Sequence, residues 1–386
     1  MSGHRAPDLL LNDEQKMLSK TARSFIRDRA PASRIRKLRD SKDPVGFSRE
    51  LWREMAELGW LGLQIPEEYG GLGLGFFDLC VLLEHSGREL MPEPFVSTLL
   101  LGAQALLLGG TEAQKKLWLP GIASGERLVA LAYEESGSDG NLSHLRTTAS
   151  GTDGRFELTG EKVQVLDAHV ADAILVSAAT SDTNTELGRS SLFLVDPEQS
   201  GVTITRQRRI DGMGSAIVRL DRVSVEGNAI VGEPDEAGRL LARVIDRASV
   251  GMAAQMLGAS EQAFEDTIDY LKEREQFGVP IGSFQALQHR AVSVFTDIAL
   301  TRSVVSAAAR SIDDSPDDVA QLASLAKASA SETFLHAAKE AVQMHGGIGV
   351  TDEHDIGLYM KRAHAAYVTF GKPSRHRQRW AELRGY

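Results

Sequence analysis

The stretch Lys272-Glu273-Arg274-Glu275-Gln276-Phe277-Gly278-Val279-Pro280-Ile281-Gly282-Ser283-Phe284-Gln285 sets a cation, an aromatic ring and a Gly-Val-Pro turn between two long helical patterns. Upstream, Leu240, Leu241, Val244 and Ile245 open an apolar periodicity that runs to about Lys272. Downstream, Leu287, Val294, Phe295, Ile298 and Val305 mark a second helix. Ser315-Pro316-Asp317-Asp318 predicts the cap of a third, with proline in its first turn and two acids against the helix dipole. Ala320, Ala323, Ala326, Ala330, Ala337 and Ala341 make that third helix narrow enough for close neighbours. It ends in Gln343-Met344-His345-Gly346-Gly347-Ile348-Gly349. Most of these bundle residues need no role beyond packing.

Ahead of this bundle the period changes to two. Phe156 and Leu158, then Val163 and Val165, alternate, with Thr159-Gly160 read as a turn between them. Short β-rich runs follow at Ala173–Ser177, Ser191–Val195, Gly201–Thr205 and Ala216–Val225. They predict a small antiparallel barrel or sandwich and no βαβ unit. Further back the chain reads as helices. Asp13 is placed to cap the pattern from Glu14 to Arg29, Phe47 to Leu58 and Phe76 to Leu90 follow, and Thr111 caps a helix expected to stop at Pro120-Gly121. The organisation is α+β, with an all-α segment at 1–128, an antiparallel β-barrel at 129–235 and a helical bundle at 236–386.

Composition narrows the functional classes. At 386 residues, two or three domains are expected. A net charge of −10 argues against a nucleic-acid binder, which wants a basic face. The single cysteine, Cys80, leaves no intramolecular disulfide and no cysteine-cluster metal site, and reads as a small core residue. Met1 to Leu11 is too short and polar for a signal peptide, and no apolar run approaches the ~20 residues that span a bilayer. A cytoplasmic location without membrane or nucleic-acid partners is the expectation.

Read in order, Leu11-Asn12-Asp13-Glu14-Gln15, Ile65-Pro66-Glu67-Glu68-Tyr69-Gly70-Gly71-Leu72-Gly73, Gly110–Lys116 and Leu119–Glu126 join the two glycine-punctuated segments of the bundle. Together they resemble the acyl-CoA dehydrogenase family over essentially the whole chain. The resemblance implies an FAD-dependent oxidoreductase of lipid metabolism, of the fatty-acid β-oxidation kind, that desaturates an acyl-CoA thioester. It also implies an oligomer, because the family's bundle segments reach the flavin of a neighbouring subunit, with an electron-transfer flavoprotein as plausible acceptor. Carried over, Arg274 meets the FAD pyrophosphate, Phe277 lies against the flavin or adenine side, Gln285 hydrogen-bonds near the diphosphate, and Gln343, Gly346 and Gly347 offer an amide and an uncrowded backbone. Alone, Arg274 would be an ion-pair partner of Glu273 or Glu275, and Gly346-Gly347 a helix C-cap. A GxGxxG fingerprint after a first strand is absent, so FAD rests on the resemblance.

The ring end of the flavin site is matched less fully. Gly137, Ser138 and Asp139 follow the family's glycine loop, with Ser138 a cofactor contact, but that loop is a residue short and lacks its proline. Where the family carries Trp-Ile-Thr, this chain has Gln164-Val165-Leu166. Leu166 retains a backbone amide and no hydroxyl.

Desaturation also needs a base for the α-hydrogen, and a desolvated carboxylate suits that role. At the family's usual position stands Gly371, and no Asp or Glu occurs between Asp355 and Glu382. At the alternative position stands Ala248, with Asp246 two residues away, nearly opposite at ~100° per residue and read as solvated. Three readings remain open. The chain is the base-lacking subunit of a heteromeric enzyme, and Phe370-Gly371-Lys372-Pro373-Ser374-Arg375-His376 resembles the small subunits of pimeloyl-CoA dehydrogenase and of steroid side-chain enzymes. Or it is a homomeric flavoenzyme with another base, for which Glu134, Glu135, Asp167, His345 and His364 are candidates. Or it is a binding or scaffold protein, against which the intact Arg274 and Gln343–Gly347 segments speak. No metal site is expected.

Overall fold

A computed structural model describes residues 11–138, 140–142, 144–152, 154–180 and 189–386. The reading of residues 1–10, and Asp139 within the glycine loop, lie outside them. By contacts the chain divides into two compact units that do not follow its linear order. One, mainly helical, comprises the residues up to Asp40, Gly75–Met91 and Ser249–Tyr386; the other comprises Ser41–Leu74 and Pro92–Ala248.

The helical unit contains α1 (Asp13–Arg29), α2 (Arg34–Asp40), α4 (Phe76–Arg88), most of α7 (Ala237–Glu273), α8 (Gln285–Asp314), α9 (Val319–His345), α10 (Ile356–Val368) and α11 (Pro373–Leu383). The helix before α4 in the chain, α3 (Arg49–Glu57), belongs to the other unit. α1 is capped by Asn12 and not by Asp13: the Asn12 side chain accepts from Gln15 N at 2.8 Å, and the Gln15 side chain answers Asn12 N at 3.1 Å. That reciprocal box satisfies two end donors, which a cap one residue later would miss. Ser315 supplies no side-chain cap; Pro316–Asp318 forms a 3₁₀ turn and α9 begins at Val319.

α9 packs against α8, α10 and α11 through its small residues. Where α4 crosses α7, two glycines let backbones touch: a Cβ on Gly87 would lie 1.9 Å from Gln255 O, and one on Gly258 1.8 Å from Glu84 O. Charges buried at this crossing are paired. Arg302 forks onto Glu84 at 2.9 and 3.0 Å and also binds Glu261, while Arg88 bridges Glu261 and Glu265. Contrary to the sequence expectation, α8 is long and apolar enough on composition alone to cross a membrane. Its apolar residues split between two faces: Val294, Ile298 and Val305 are buried in the bundle, whereas Val292, Phe295 and Leu300 stand in solvent.

The second unit is built on β1 (Val129–Ala132), β2 (Thr148–Thr152), β3 (Arg155–Leu166), β4 (Ala173–Ala179), β5 (Ser190–Val195), β6 (Val202–Arg208), β7 (Gly214–Glu226) and β8 (Ile230–Val231). The sheet order is β6-β7-β3-β2-β4-β5-β8, with β1 beside β4. The sheet is mixed and not wholly antiparallel, because β1 and β2 each meet β4 in parallel. The expected turn at Thr159-Gly160 is instead an irregularity inside one continuous strand: the β3–β7 register shifts between Leu158 and Gly160, as in a β-bulge. A core of Leu158, Val165, Ile174, Val176, Phe193, Val218 and Val223 lies on the sheet. Beside it run a fully buried π-helix (Phe95–Ala103), α5 (Gln104–Gly109) and α6 (Glu112–Ala123). α6 continues past Pro120, since a proline that near the C-terminus costs one upstream bond and leaves the last turn intact.

Candidate functional site

In the helical unit the opening stretch folds as a hairpin. β9 (Glu275–Gln276) pairs with β10 (Val279–Pro280), and Phe277 and Gly278 make the two-residue turn with φ of 55° and 80°. Two consecutive positive φ values define the type I′ turn, in which glycine is at home and phenylalanine is strained. Phe277 therefore stands at the tip, 93% exposed, with the edge of Phe284 beside its ring at 6.1 Å. Arg274 is exposed, and among the described residues no carboxylate lies within ion-pair reach of it, so neither Glu273 nor Glu275 engages it. Gln285 opens α8 and is exposed.

The second segment sits at the end of α9. Gln343, Gly346 and Gly347 are exposed, and a Cβ on either glycine would meet nothing within 4 Å. Gly346 adopts φ 64° and caps the helix through its N–H to Gln343 O. His345, between these exposed residues, is buried; its Nδ1 lies 2.7 Å from Ala341 O. An unpaired guanidinium, an exposed amide, open backbone and an uncovered aromatic fit a dinucleotide approached from outside.

The region of the expected base is also in this unit. Phe370 and Gly371 take φ of 62° and 105°, and a Cβ on Gly371 would come 3.3 Å from His376 Nε2. Lys327, fully buried on α9, donates to Ser331 Oγ at 2.9 Å and to the carbonyls of Ala366 and Gly371 at 3.2 Å each. Ala366 O belongs to the last turn of α10, so a buried ammonium caps that helix end. Burial pulls Lys327 down to about 7. His376 is held by Phe370 O at 3.0 Å, and burial followed by the Lys327 charge pulls it down to about 4. Its Nδ1 has no partner among the described residues. Gly371 thus occupies a braced backbone at a φ that favours glycine. His364 on α10 is exposed.

In the sheet unit the remaining candidates are engaged in structure. Glu135 accepts Lys162 Nζ at 2.6 Å and the amides of Arg146 and Thr147 at 2.6 and 3.1 Å. Burial works against its charge, but Lys162 and those donors hold its carboxyl below the usual range. Lys162, fully buried, is drawn down to about 8 by desolvation, which the Glu135 charge only partly offsets. Ser138, the expected flavin contact, is buried, with its hydroxyl donated to Glu134 at 3.1 Å. Asp167 accepts Ser97 Oγ at 2.6 Å, and burial pushes it up to about 6. Gln164 is exposed and Leu166 buried. Asp246 is buried and has partners, which corrects its reading as a solvated carboxylate; Ala248 is buried too.

Lys327, His376, Lys162 and the π-helix escaped the sequence reading. Lys327 had left a signal, a lone cation in the stripe of Ala323, Ala326, Ala330 and Phe334, at spacings that share one helix face.

Comparison with known proteins agrees with this geometry. The descriptions acyl-CoA dehydrogenase N-terminal, middle and C-terminal domain match residues 12–126, 129–223 and 239–382. Acyl-CoA dehydrogenase IpdE2 of Mycobacterium tuberculosis is 32% identical over 362 residues, 94% of each chain. Among solved structures, a variant of the Tcur3481-Tcur3483 steroid ACAD is 33% identical with TM-score 0.86, covering 97% of this chain and 98% of that one. A chain of the ChsE4-ChsE5 complex from Mycobacterium tuberculosis is 27% identical with TM-score 0.86, covering 96% and 97%. The chain belongs to the acyl-CoA dehydrogenase family and is an FAD-dependent oxidoreductase of its fold.

Proposed function

We propose that this chain is the subunit without the catalytic base in a heteromeric acyl-CoA dehydrogenase, related in role to the small subunits of pimeloyl-CoA and steroid side-chain enzymes. The observation that carries the reading is Gly371. At φ 105°, beside His376 and with its carbonyl held by Lys327, this position is shaped for glycine. A neighbouring homologous subunit supplies the carboxylate that takes the α-proton of the acyl-CoA thioester. Bound FAD supplies the hydride acceptor for the β-hydrogen, and an electron-transfer flavoprotein takes the electrons onward. The contribution of this chain is binding. Arg274 offers charge-assisted bonds to a pyrophosphate, Gln343 an amide, and Gly346-Gly347 a backbone open to close approach. Phe277 and the exposed Val292, Phe295 and Leu300 of α8 supply apolar surface for a neighbour to cover.

The test is expression of the chain alone and with a homologous partner that carries Tyr-Glu-Gly-Thr at the base position. Alone, the chain is expected to show little thioester dehydrogenation; with the partner, activity appears with one FAD shared by each pair of chains. Robust dehydrogenation by the purified chain alone, with one FAD per chain, would sink the proposal. Arg274→Ala is expected to abolish flavin retention in the complex, and full occupancy in that variant counts against the assignment of the clamp.

A further inference from the structure

The Arg274 hairpin and the Gln343–Gly347 turn are far apart in sequence, yet one ring stack joins them. Tyr270 on α7 accepts Arg274 N at 2.9 Å through its carbonyl, so it fixes the base of the hairpin. Its hydroxyl donates to His345 O at 3.3 Å, and its ring stacks on His345 at 4.4 Å with 23° between the planes. The other neighbour of the His345 ring is His354, at 4.6 Å and 54°. Gly349 folds the turn back against the end of α9, where a Cβ would come 2.6 Å from Val342 O and 3.0 Å from His345 Cβ. Both clamp segments therefore stand on Tyr270–His345–His354.

The bonds of this stack fix the neutral tautomer of both imidazoles. His345 Nδ1 faces the carbonyl of Ala341, so Nδ1 carries the hydrogen and Nε2 is bare when the ring is neutral. His354 Nδ1 accepts the N–H of Ile356 at the start of α10, at 3.2 Å, so that nitrogen must be bare. A proton on His354 Nδ1 would break the Ile356 bond, and a second on His345 would set two cations side by side in tilted rings with centroids 4.6 Å apart. Tyr270 is the titratable group facing the pair from α7; Asp352 and Asp355, flanking His354 in sequence, are taken by Arg39 with Lys361 and by Arg36. Burial, and then the nearby His354, pull His345 below the ordinary histidine range. The sign follows: a buried histidine that prefers neutrality costs the fold nothing above its unfolded pKa near 6.5, and destabilises it increasingly below.

We propose that His345 and His354 are positioning residues for the flavin clamp, a joint that holds the Arg274 hairpin and the Gly346-Gly347 turn together only while the His345 ring is neutral and His354 Nδ1 accepts the Ile356 amide. This rests on the assignment of those segments to FAD, and the test separates the two claims. In the flavin-loaded form, alone or with its partner subunit, FAD affinity of the wild type is expected to fall from pH 7.5 to 5.5 by up to about tenfold, the most one histidine of unfolded pKa near 6.5 can supply and ~1.4 kcal/mol. His345→Phe keeps a stacked ring without a titrating nitrogen, and His354→Gln keeps an acceptor for Ile356 N; each is expected to flatten that profile. Flavin-free hydrogen exchange, corrected for intrinsic pH dependence, reads the joint directly. Residues 274–284 and 343–351 are expected to lose protection together below about pH 6.5 in the wild type and not in His345→Phe. Exchange profiles identical in wild type and variant overturn the joint. Exchange that responds while FAD affinity stays flat overturns its role toward flavin, and absence of FAD binding at pH 7.5 overturns the clamp assignment itself.

Discussion

At the scale of the residue, Lys327 and Gly371 explain each other. The carbonyls of Ala366 and Gly371 converge on one ammonium, and the left-handed turn at Phe370-Gly371 is what brings the second of them there. Burial pulls Lys327 from its ordinary 10.5 down to about 7 in the fold, so between those values the unfolded chain binds more protons. Stability is therefore expected to rise across that window, by at most ~1.4 kcal/mol per pH unit from this one group. Urea midpoints at pH 7 and pH 9 should show the rise in the wild type and lose it in Lys327→Met. Gly371→Glu is expected to cost about 1–3 kcal/mol for a side chain at φ 105° and to confer no dehydrogenase activity by itself. An active, fully stable Gly371→Glu chain would mean that the position is a simple vacancy.

At the scale of the element, the bundle depends on places where side chains are missing. Gly87 on α4 and Gly258 on α7 each face the carbonyl of the other helix at less than a bond-free distance for any Cβ. Gly87→Ala or Gly258→Ala is expected to cost about 3 kcal/mol or more, because two helices with paired charges between them must separate. Gly357→Ala is the contrasting case. Its Cβ would meet only Thr351 O at 3.8 Å inside α10, and removing glycine there should gain up to ~1 kcal/mol. Chemical denaturation of the three variants decides this, and equal losses would mean that helix contact does not set the difference. The sequence pattern announced these helices through apolar spacing, but no pattern in a single chain says which glycine faces a backbone.

At the scale of the molecule, two compact units are assembled from interleaved segments, and α8 keeps Val292, Phe295 and Leu300 in solvent. Phe295→Asp with Leu300→Asp is expected to yield a smaller assembly by light scattering at unchanged helicity. An unaltered mass would remove that face from the interface. The chain's own letters determined the helix–strand–helix order and the family, and they located the Arg274 and Gln343–Gly347 segments and the carboxylate-free stretch around Gly371 on which the proposed function rests, because apolar periodicity, glycine punctuation and the absence of Asp or Glu between Asp355 and Glu382 are local facts. Tertiary structure alone decided that β1 and β2 join β4 in parallel, that Asp246 is buried, and that Phe277 stands uncovered at a type I′ tip. It alone brought Lys327 to Gly371 and Tyr270 to His345. Those pairings join residues far apart in the chain, and only the packing of one helix on another fixes which side chains meet. The Lys272–Gln285 stretch could name a cation and a ring, while the free guanidinium and exposed aromatic came from how its hairpin folds.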